Sequence, residues 1–310
     1  MKAVKATGYG GPEVLEVVDL DTPEPVATEL LVRVEAAGVN PVDWKTRARG
    51  PGGVVELDAP VVLGWDVAGV VEKTGYGVTR FQPGDRVLGM PWFPRLARAY
   101  AEYVTAPSRQ FARIPDGLDT VHAGGLPLAG LTAWQALVDT AGVSRGDRVL
   151  IHAAAGGVGH LALQIAKARG AHIIATARER KHDFLRGLGV DHPIDYTDVA
   201  FEAESGEVDV VLDLVGTEDY GMRSLQVLRE GGLLIQVPSG APQSVEHAAA
   251  EQRKRLTHIL VEPDGRALEQ LVALENLDIE VAQTFPLDEA ARAHAVGEQG
   301  RVQGKLVLVP

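Results

Sequence analysis

Val149-Leu150-Ile151-His152-Ala153-Ala154-Ala155-Gly156-Gly157-Val158-Gly159-His160 is the stretch that decides the fold. Its start is a short apolar run suited to a buried strand, its middle is a turn of small residues, and the Leu, Ala and Ile that follow His160 recur at helical spacing. Set against the G-x-G-x-x-G fingerprint, Ala154 stands at the first glycine and Gly156 and Gly159 at the other two. Small residues let the backbone approach a pyrophosphate, and a helix start offers that anion free amides and a positive dipole end. A second strand, His172–Thr176, closes the ~30-residue βαβ unit that the fingerprint requires. Ala155, Gly156, Gly157, Val158 and Gly159 are therefore the expected cofactor-binding turn.

The end of that second strand reads the nucleotide. NAD is normally held there by an acid on the ribose 2′-hydroxyl, but the chain reads Ala175-Thr176-Ala177-Arg178-Glu179-Arg180-Lys181. Arg178 and Lys181 can reach a 2′-phosphate instead, so the expected cofactor is NADPH, with Thr176 at the strand end. The competing reading, a solvated positive helix start, runs against the preference of helix starts for acids.

Outward from this unit, strands and helices alternate from about Asp119: a helix over Thr120–Ala141, then strands at Arg148–His152, His172–Thr176, Val208–Leu212, Leu233–Val237 and Leu256–Val261. Helices are expected between them, over Lys181–Leu188, Tyr220–Leu228 and Ser244–Arg255. Such alternation predicts a doubly wound α/β Rossmann sheet of parallel strands. The first third is different, with short β runs broken by Gly and Pro at Ala3–Ala6, Val14–Val18, Glu29–Ala37, Val67–Lys73, Arg86–Met90 and Ala101–Thr105. These predict a β-rich, partly closed barrel. The tail, with helices over Gly265–Leu274 and Leu287–Glu298 and strands at Ile279–Val281 and Lys305–Val309, is assigned to the β-rich part. The expected domains are thus 1–118 with 264–310, and an inserted cofactor domain 119–263.

Bulk properties narrow the classes. A length of 310 residues suits about two domains. A formal net charge of −12 argues against nucleic acid or an anionic membrane as partner. With no cysteine there is no disulfide framework, thiolate metal site or thiol nucleophile. The N-terminal residues lack the pattern of a signal peptide and no apolar run reaches ~18 residues, so a cytoplasmic location is expected. Nine histidines invite a test for a hydrolase, but no G-x-S-x-G elbow or H-E-x-x-H pair occurs.

Further segments carry a resemblance: Ala37-Gly38-Val39-Asn40-Pro41-Val42-Asp43, Pro60-Val61-Val62-Leu63-Gly64-Trp65-Asp66, Gly84-Asp85-Arg86-Val87, Leu126 to Ala133, the glycine turn, and Gly304-Lys305-Leu306-Val307-Leu308. In this order the chain resembles the medium-chain dehydrogenase/reductases, and within them the zinc-free quinone oxidoreductase and enone reductase branch. The resemblance implies a Rossmann domain inserted into a GroES-like catalytic domain. It also implies reduction of a quinone or an α,β-unsaturated carbonyl by NADPH. Zinc-dependent relatives carry ligands at the positions of Asn40, Trp65 and Leu128, and none of these side chains supplies a tetrahedral zinc set. No metal is expected.

Without a metal, the site must donate hydrogen bonds to the acceptor's oxygen. Asn40 occupies the family's reacting-centre position and its amide can donate; capping the turn before Pro41 is the alternative. Relatives often place a tyrosine after Asp43, where this chain has Trp44-Lys45. Lys45 could protonate the product if buried, or be a solvated lysine, and Asp43 could orient Lys45 or hold the loop. Trp44, Trp65, Trp92 and Phe93 are expected either to wall a planar substrate or to pack the core. By resemblance Thr132, Tyr196, Val215, Gly216, Pro238, Ser239 and Lys305 join the cofactor contacts, Lys305 reaching either substrate or cofactor. A pathway-dedicated enoyl reductase and a non-catalytic NADPH-binding protein are the alternatives. The edge strand Leu256–Val261 predicts a homodimer.

Overall fold

A computed structural model describes residues 1–49, 60–237 and 243–310. The chain forms two compact units: Met1–Leu131 with Glu262–Glu275 and Ile279–Pro310, and Thr132–Val261 with Asn276–Asp278.

The first unit carries β1 (Lys2–Ala6), β2 (Leu15–Asp19), β3 (Glu29–Val39), β4 (Val61–Val62), β5 (Val67–Thr74), β6 (Arg86–Gly89), β7 (Tyr103–Pro107) and β8 (Phe111–Arg113). The second carries β9 (Arg148–Ile151), β10 (His172–Ala177), β11 (His192–Asp195), β12 (Val208–Asp213), β13 (Leu228–Gln236) and β14 (Arg255–His258), and the tail returns β15 (Val281–Pro286) and β16 (Lys305–Val309) to the first.

In the first unit, β3 is long, with Leu30, Val32, Val34 and Ala36 buried on one face and Arg33 and Glu35 paired on the other. It pairs antiparallel with β5, β7 and β16. The large sheet runs β15-β16-β3-β5-β6-β8, with β7 added on β3. Its outer strands β15 and β8 do not pair with each other among the described residues, so the pairing gives a branched sheet and does not establish the expected partly closed barrel. A separate three-stranded sheet, β2-β1-β4, packs its Ala3, Val4 and Ala6 into the same core.

The expected single helix over Thr120–Ala141 is in fact three pieces: Thr120–Gly125, Pro127–Trp134 and a π-helical turn Gln135–Thr140. Pro127 has no N–H to continue the helix's hydrogen-bond ladder, which explains the first break, although Leu126 before it keeps helical backbone. The first piece starts at Asp119, whose carboxylate accepts from Val121 N and His122 N. It packs on β3, β5 and β16. The first unit therefore extends to Leu131 rather than ending at residue 118.

The second unit is a parallel sheet, β11-β10-β9-β12-β13-β14. Leu150, Ile174, Val211 and Leu234 come from its adjacent strands and share one buried cluster. Beneath it His152 is fully buried, with Thr176 Oγ1 at 3.0 Å and Ser224 Oγ at 3.1 Å on its two nitrogens. Burial pushes the His152 imidazole down to about 4, so it is a neutral packing residue.

Candidate functional site

In the second unit, β9 ends at Ile151 and the helix Gly159–Ala168 starts eight residues later. The turn between them is held from behind. Ala154 N donates to Thr176 O at 3.2 Å and Gly156 N to Ala153 O at 3.0 Å. A Cβ on Gly159 would lie 2.6 Å from Ala153 O, Ala154 Cα and Ala154 O, so only glycine lets the helix start this close to the turn. The backbone of Ala155–Gly159 forms the cradle expected for a pyrophosphate, and its residues fit a dinucleotide. Thr176 serves the turn through its carbonyl; its side chain faces His152 instead of a cofactor.

After β10 comes a patch of cations. Arg178 is exposed and its Nε donates to Tyr196 Oη at 3.3 Å. Burial, then Arg180 and Arg178, push the half-buried Lys181 ammonium below its usual range. Repulsion among these cations is what an incoming phosphate would relieve. The nearby Asp195 carboxylate is occupied by Glu179 N, Thr197 N and Thr197 Oγ1. Past β12, Val215 N and Gly216 N both donate to Asp213 Oδ1, at 2.8 and 3.0 Å. Gln236 Nε2 donates to the other oxygen at 3.0 Å. Thr132 is buried. Pro238 and Ser239 lie outside the described residues.

In the first unit, three segments far apart in sequence meet at Asp66, which is fully buried. Asn40 Nδ2 donates to Asp66 Oδ2 at 2.8 Å and Leu128 N donates to Asp66 Oδ1 at 2.7 Å. Lys305 Nζ donates to Asn40 Oδ1 and, at 3.3 Å, to Val39 O, and lies 3.5 Å from Asp66 Oδ2. Burial raises the Asp66 carboxyl, and the Lys305 ammonium opposes that rise. The Lys305 ammonium is held inside the first unit, on Asn40 and Val39. Gly304, at φ +69°, leads into it, where a Cβ would lie 2.2 Å from Glu280 O.

Asn40 also ends β3 where the helix Pro41–Arg49 begins, an element not evident from the sequence. Its backbone N donates to Asp43 Oδ2 at 2.6 Å, and Tyr100 Oη donates to the same oxygen at 2.9 Å. Burial lifts the Asp43 carboxyl to about 7. Asp43 therefore holds the turn, and Lys45 is half-buried on the helix.

The aromatic residues divide. Trp65 is fully buried, donates from Nε1 to Arg95 O at 2.6 Å and meets Phe93 edge-on at 5.6 Å, so both are core. Trp44 packs edge-on to His294 at 6.2 Å and against Gly297, where a Cβ would lie 2.7 Å from its ring. Trp92 donates to Thr105 O at 2.9 Å and lines a cleft of about 430 Å³ with Leu20, Val62 and Tyr103. The expected planar wall is mainly core packing, because these indoles bond inward to backbone carbonyls or pack on a helix.

Asn40 and Leu128 thus come together in space with the Trp65–Asp66 segment, both donating to the Asp66 carboxylate. Among the described residues no group of three His, Cys, Asp or Glu could hold a metal ion. The donor set does not fit zinc.

A glycine-turn Rossmann sheet joined to a β-rich unit that gathers Asn40, Asp66 and Leu128 defines a medium-chain dehydrogenase/reductase. Family models agree: "Alcohol dehydrogenase GroES-like domain" matches residues 26–116, and "Zinc-binding dehydrogenase" matches residues 188–308. The chain belongs to this superfamily, in its quinone oxidoreductase branch, and is an oxidoreductase. It is similar to the quinone oxidoreductase from Coxiella burnetii, at 41% identity and TM-score 0.93 over 100% of this chain and 99% of that one. It is also similar to the Escherichia coli quinone oxidoreductase complexed with NADPH, at 30% identity and TM-score 0.88 over 100% of both chains. A 2-haloacrylate reductase from a Burkholderia species is 36% identical over 97% of this chain and 96% of its own.

Asp66, Tyr100, Arg47, His294 and Asp213 stand in or beside these arrangements, and sequence reading did not single them out as site residues. The partners of the first four include residues far away in sequence, up to 251 residues for Arg47 and Glu298, while Asp213 is bonded by its neighbours Val215 and Gly216. Only the recurring Gly64-Trp65-Asp66 segment carried a signal for one of them.

Proposed function

We propose that the chain reduces quinones or α,β-unsaturated carbonyls with NADPH and without zinc. The observation that carries this reading is the Asn40 amide, set at the family's reacting-centre position with its nitrogen on Asp66 and its oxygen on Lys305. The second amide hydrogen is held by a longer bond, to Gly38 O at 3.4 Å, and it is this weaker-held hydrogen that would pass to an acceptor's carbonyl oxygen. Bound NADPH supplies the hydride. The turn Ala155–Gly159 holds its pyrophosphate, Arg178, Lys181 and Tyr196 its 2′-phosphate end, and Val215 and Gly216 border it at the ends of the parallel strands. The second unit is the cofactor domain and the first the acceptor domain.

Names of the relatives support the substrate class: two are quinone oxidoreductases and one reduces an electron-poor alkene acid. The exposed edge of β14, with Leu260 54% exposed nearby, supports pairing with a second copy as a homodimer. No helix among the described residues is long and apolar enough to cross a membrane. The acidic balance and lack of cysteine suit work in the cytoplasm. NADPH consumption with a panel of quinones, enals and enones, with and without a chelator, tests the reading. Turnover on at least one acceptor that survives chelation is expected; NADPH binding with no turnover on any would overturn it.

A further inference from the structure

We infer that Tyr100 and His294 are positioning residues for the Asn40–Asp43 turn, through a hydrogen-bond chain that can run in only one direction, from Arg47, itself anchored on Glu298, to Asp43. The inference rests on the proposed function only for its effect on turnover. The chain itself follows from the donors present.

Arg47 fixes the direction. It is buried, its Nη2 is held by Glu298 and its Nε donates to Gly10 O at 3.1 Å. A guanidinium can only donate. Its Nη1 lies 3.1 Å from His294 Nδ1, so that nitrogen must accept and carries no proton. The proton of the neutral ring then sits on Nε2, 3.1 Å from Tyr100 Oη. Tyr100 accepts there and must donate its own hydrogen onward, to Asp43 Oδ2 at 2.9 Å. The same oxygen takes Asn40 N–H at 2.6 Å.

Every link is buried except the Glu298 end, whose side chain is 32% exposed. Asp43 Oδ1 is buried with no hydrogen-bond partner, so Oδ2 alone sets the orientation of the carboxylate. Burial and the charge of Asp66 raise the Asp43 carboxyl; Asn40 N–H, Tyr100 Oη–H and Lys305 lower it. His294 is driven down to about 3 by burial and by Arg47, which agrees with a neutral ring. Losing the Tyr100 hydroxyl would remove one of the two donors that orient Asp43, and the Asn40 backbone is tied to that carboxylate.

A purely packing role predicts otherwise, because the Tyr100 ring meets His294 edge-on at 5.7 Å with or without its hydroxyl. Nitrogen-15 NMR of the histidine rings in the full chain reads the direction without any turnover. The expected signature of His294 is an unprotonated Nδ1, a protonated Nε2, and no titration between about pH 5 and about pH 8. A proton on Nδ1, or a ring that titrates in that range, would overturn the chain.

Kinetics read the positioning. Tyr100→Phe is expected to lower kcat about tenfold while the KM for NADPH stays within about twofold. His294→Gln can still accept from Arg47 and donate to Tyr100, so it should keep kcat within about twofold, whereas His294→Leu should fall with Tyr100→Phe. Wild-type kcat in Tyr100→Phe, or equal losses in the Gln and Leu variants, would overturn the positioning role. If no acceptor is turned over at all, the proposed function fails and the NMR result still decides the chain.

Discussion

Lys305 Nζ donates to the side-chain carbonyl of Asn40 across 265 residues of sequence. Because an ammonium only donates and a carboxylate only accepts, Lys305 on one side and Asp66 on the other leave the amide a single orientation. The reacting-centre asparagine is therefore set by a residue from the far end of the chain.

Removing that ammonium should be costly. Lys305→Met leaves the buried Asp66 carboxylate without its cation and is expected to lower stability by about 3–5 kcal/mol. Adding Asp66→Asn should recover part of the loss. Urea unfolding of the two single variants and the double variant checks this; strict additivity would show that the pair is not coupled.

Gly159→Ala places a methyl 2.6 Å from backbone atoms of the turn, which cannot yield without moving the cradle. NADPH affinity is expected to fall by at least about tenfold, or ~1.4 kcal/mol. Gly187→Ala, on a helix where the new Cβ meets nothing within 4 Å, is the control and should leave affinity unchanged. Calorimetric titration with NADPH separates the two.

Arg178→Ala should raise the KM for NADPH about tenfold and change that for NADH little, since the 2′-phosphate is what distinguishes them. Initial rates with both cofactors test it, and equal effects would point to a general role for Arg178.

Acid should destabilise the fold through two histidines. His152 and His294 are held down to about 4 and about 3 in the folded state against an ordinary 6.5, so below 6.5 the unfolded chain takes up protons that the folded one refuses. Their contribution is complete above about pH 6.5 and is lost as pH falls toward the folded values. At about pH 5 each costs up to about 2 kcal/mol. Urea midpoints should drop between about pH 7 and about pH 5, and His294→Gln should flatten that slope.

Local patterns were legible and distant partnerships were not. The strand, turn and helix around Gly156 and Gly159 occupy one short stretch, so periodicity and small residues were enough. The same holds for the parallel strands other than β11. The helix Pro41–Arg49 escaped notice because its sequence, Pro-Val-Asp-Trp-Lys-Thr-Arg-Ala-Arg, has no apolar stripe. Phe111–Arg113 and His192–Asp195 were missed because three or four residues carry too little alternation to read as strands. Asn40 was found through family resemblance, but its partners Asp66 and Lys305 are brought to it only by the pairing of β3 with β16 and by the fold around Asp66. Tryptophans were harder still, since an indole that walls a site and one that bonds into a core look alike in sequence.

The place of β16 sets an order for biosynthesis. It lies between β15 and β3 in the large sheet, yet it leaves the ribosome after all of Thr132–Val261 has been made. The nascent second unit is nearly contiguous and can fold as soon as it emerges, while in the first the Ala37–Val39 end of β3, beside Asn40, must wait unpaired until the tail arrives. Translation thus completes the nucleotide half before the half that places Asn40, and the window between the two is when this chain most needs a chaperone.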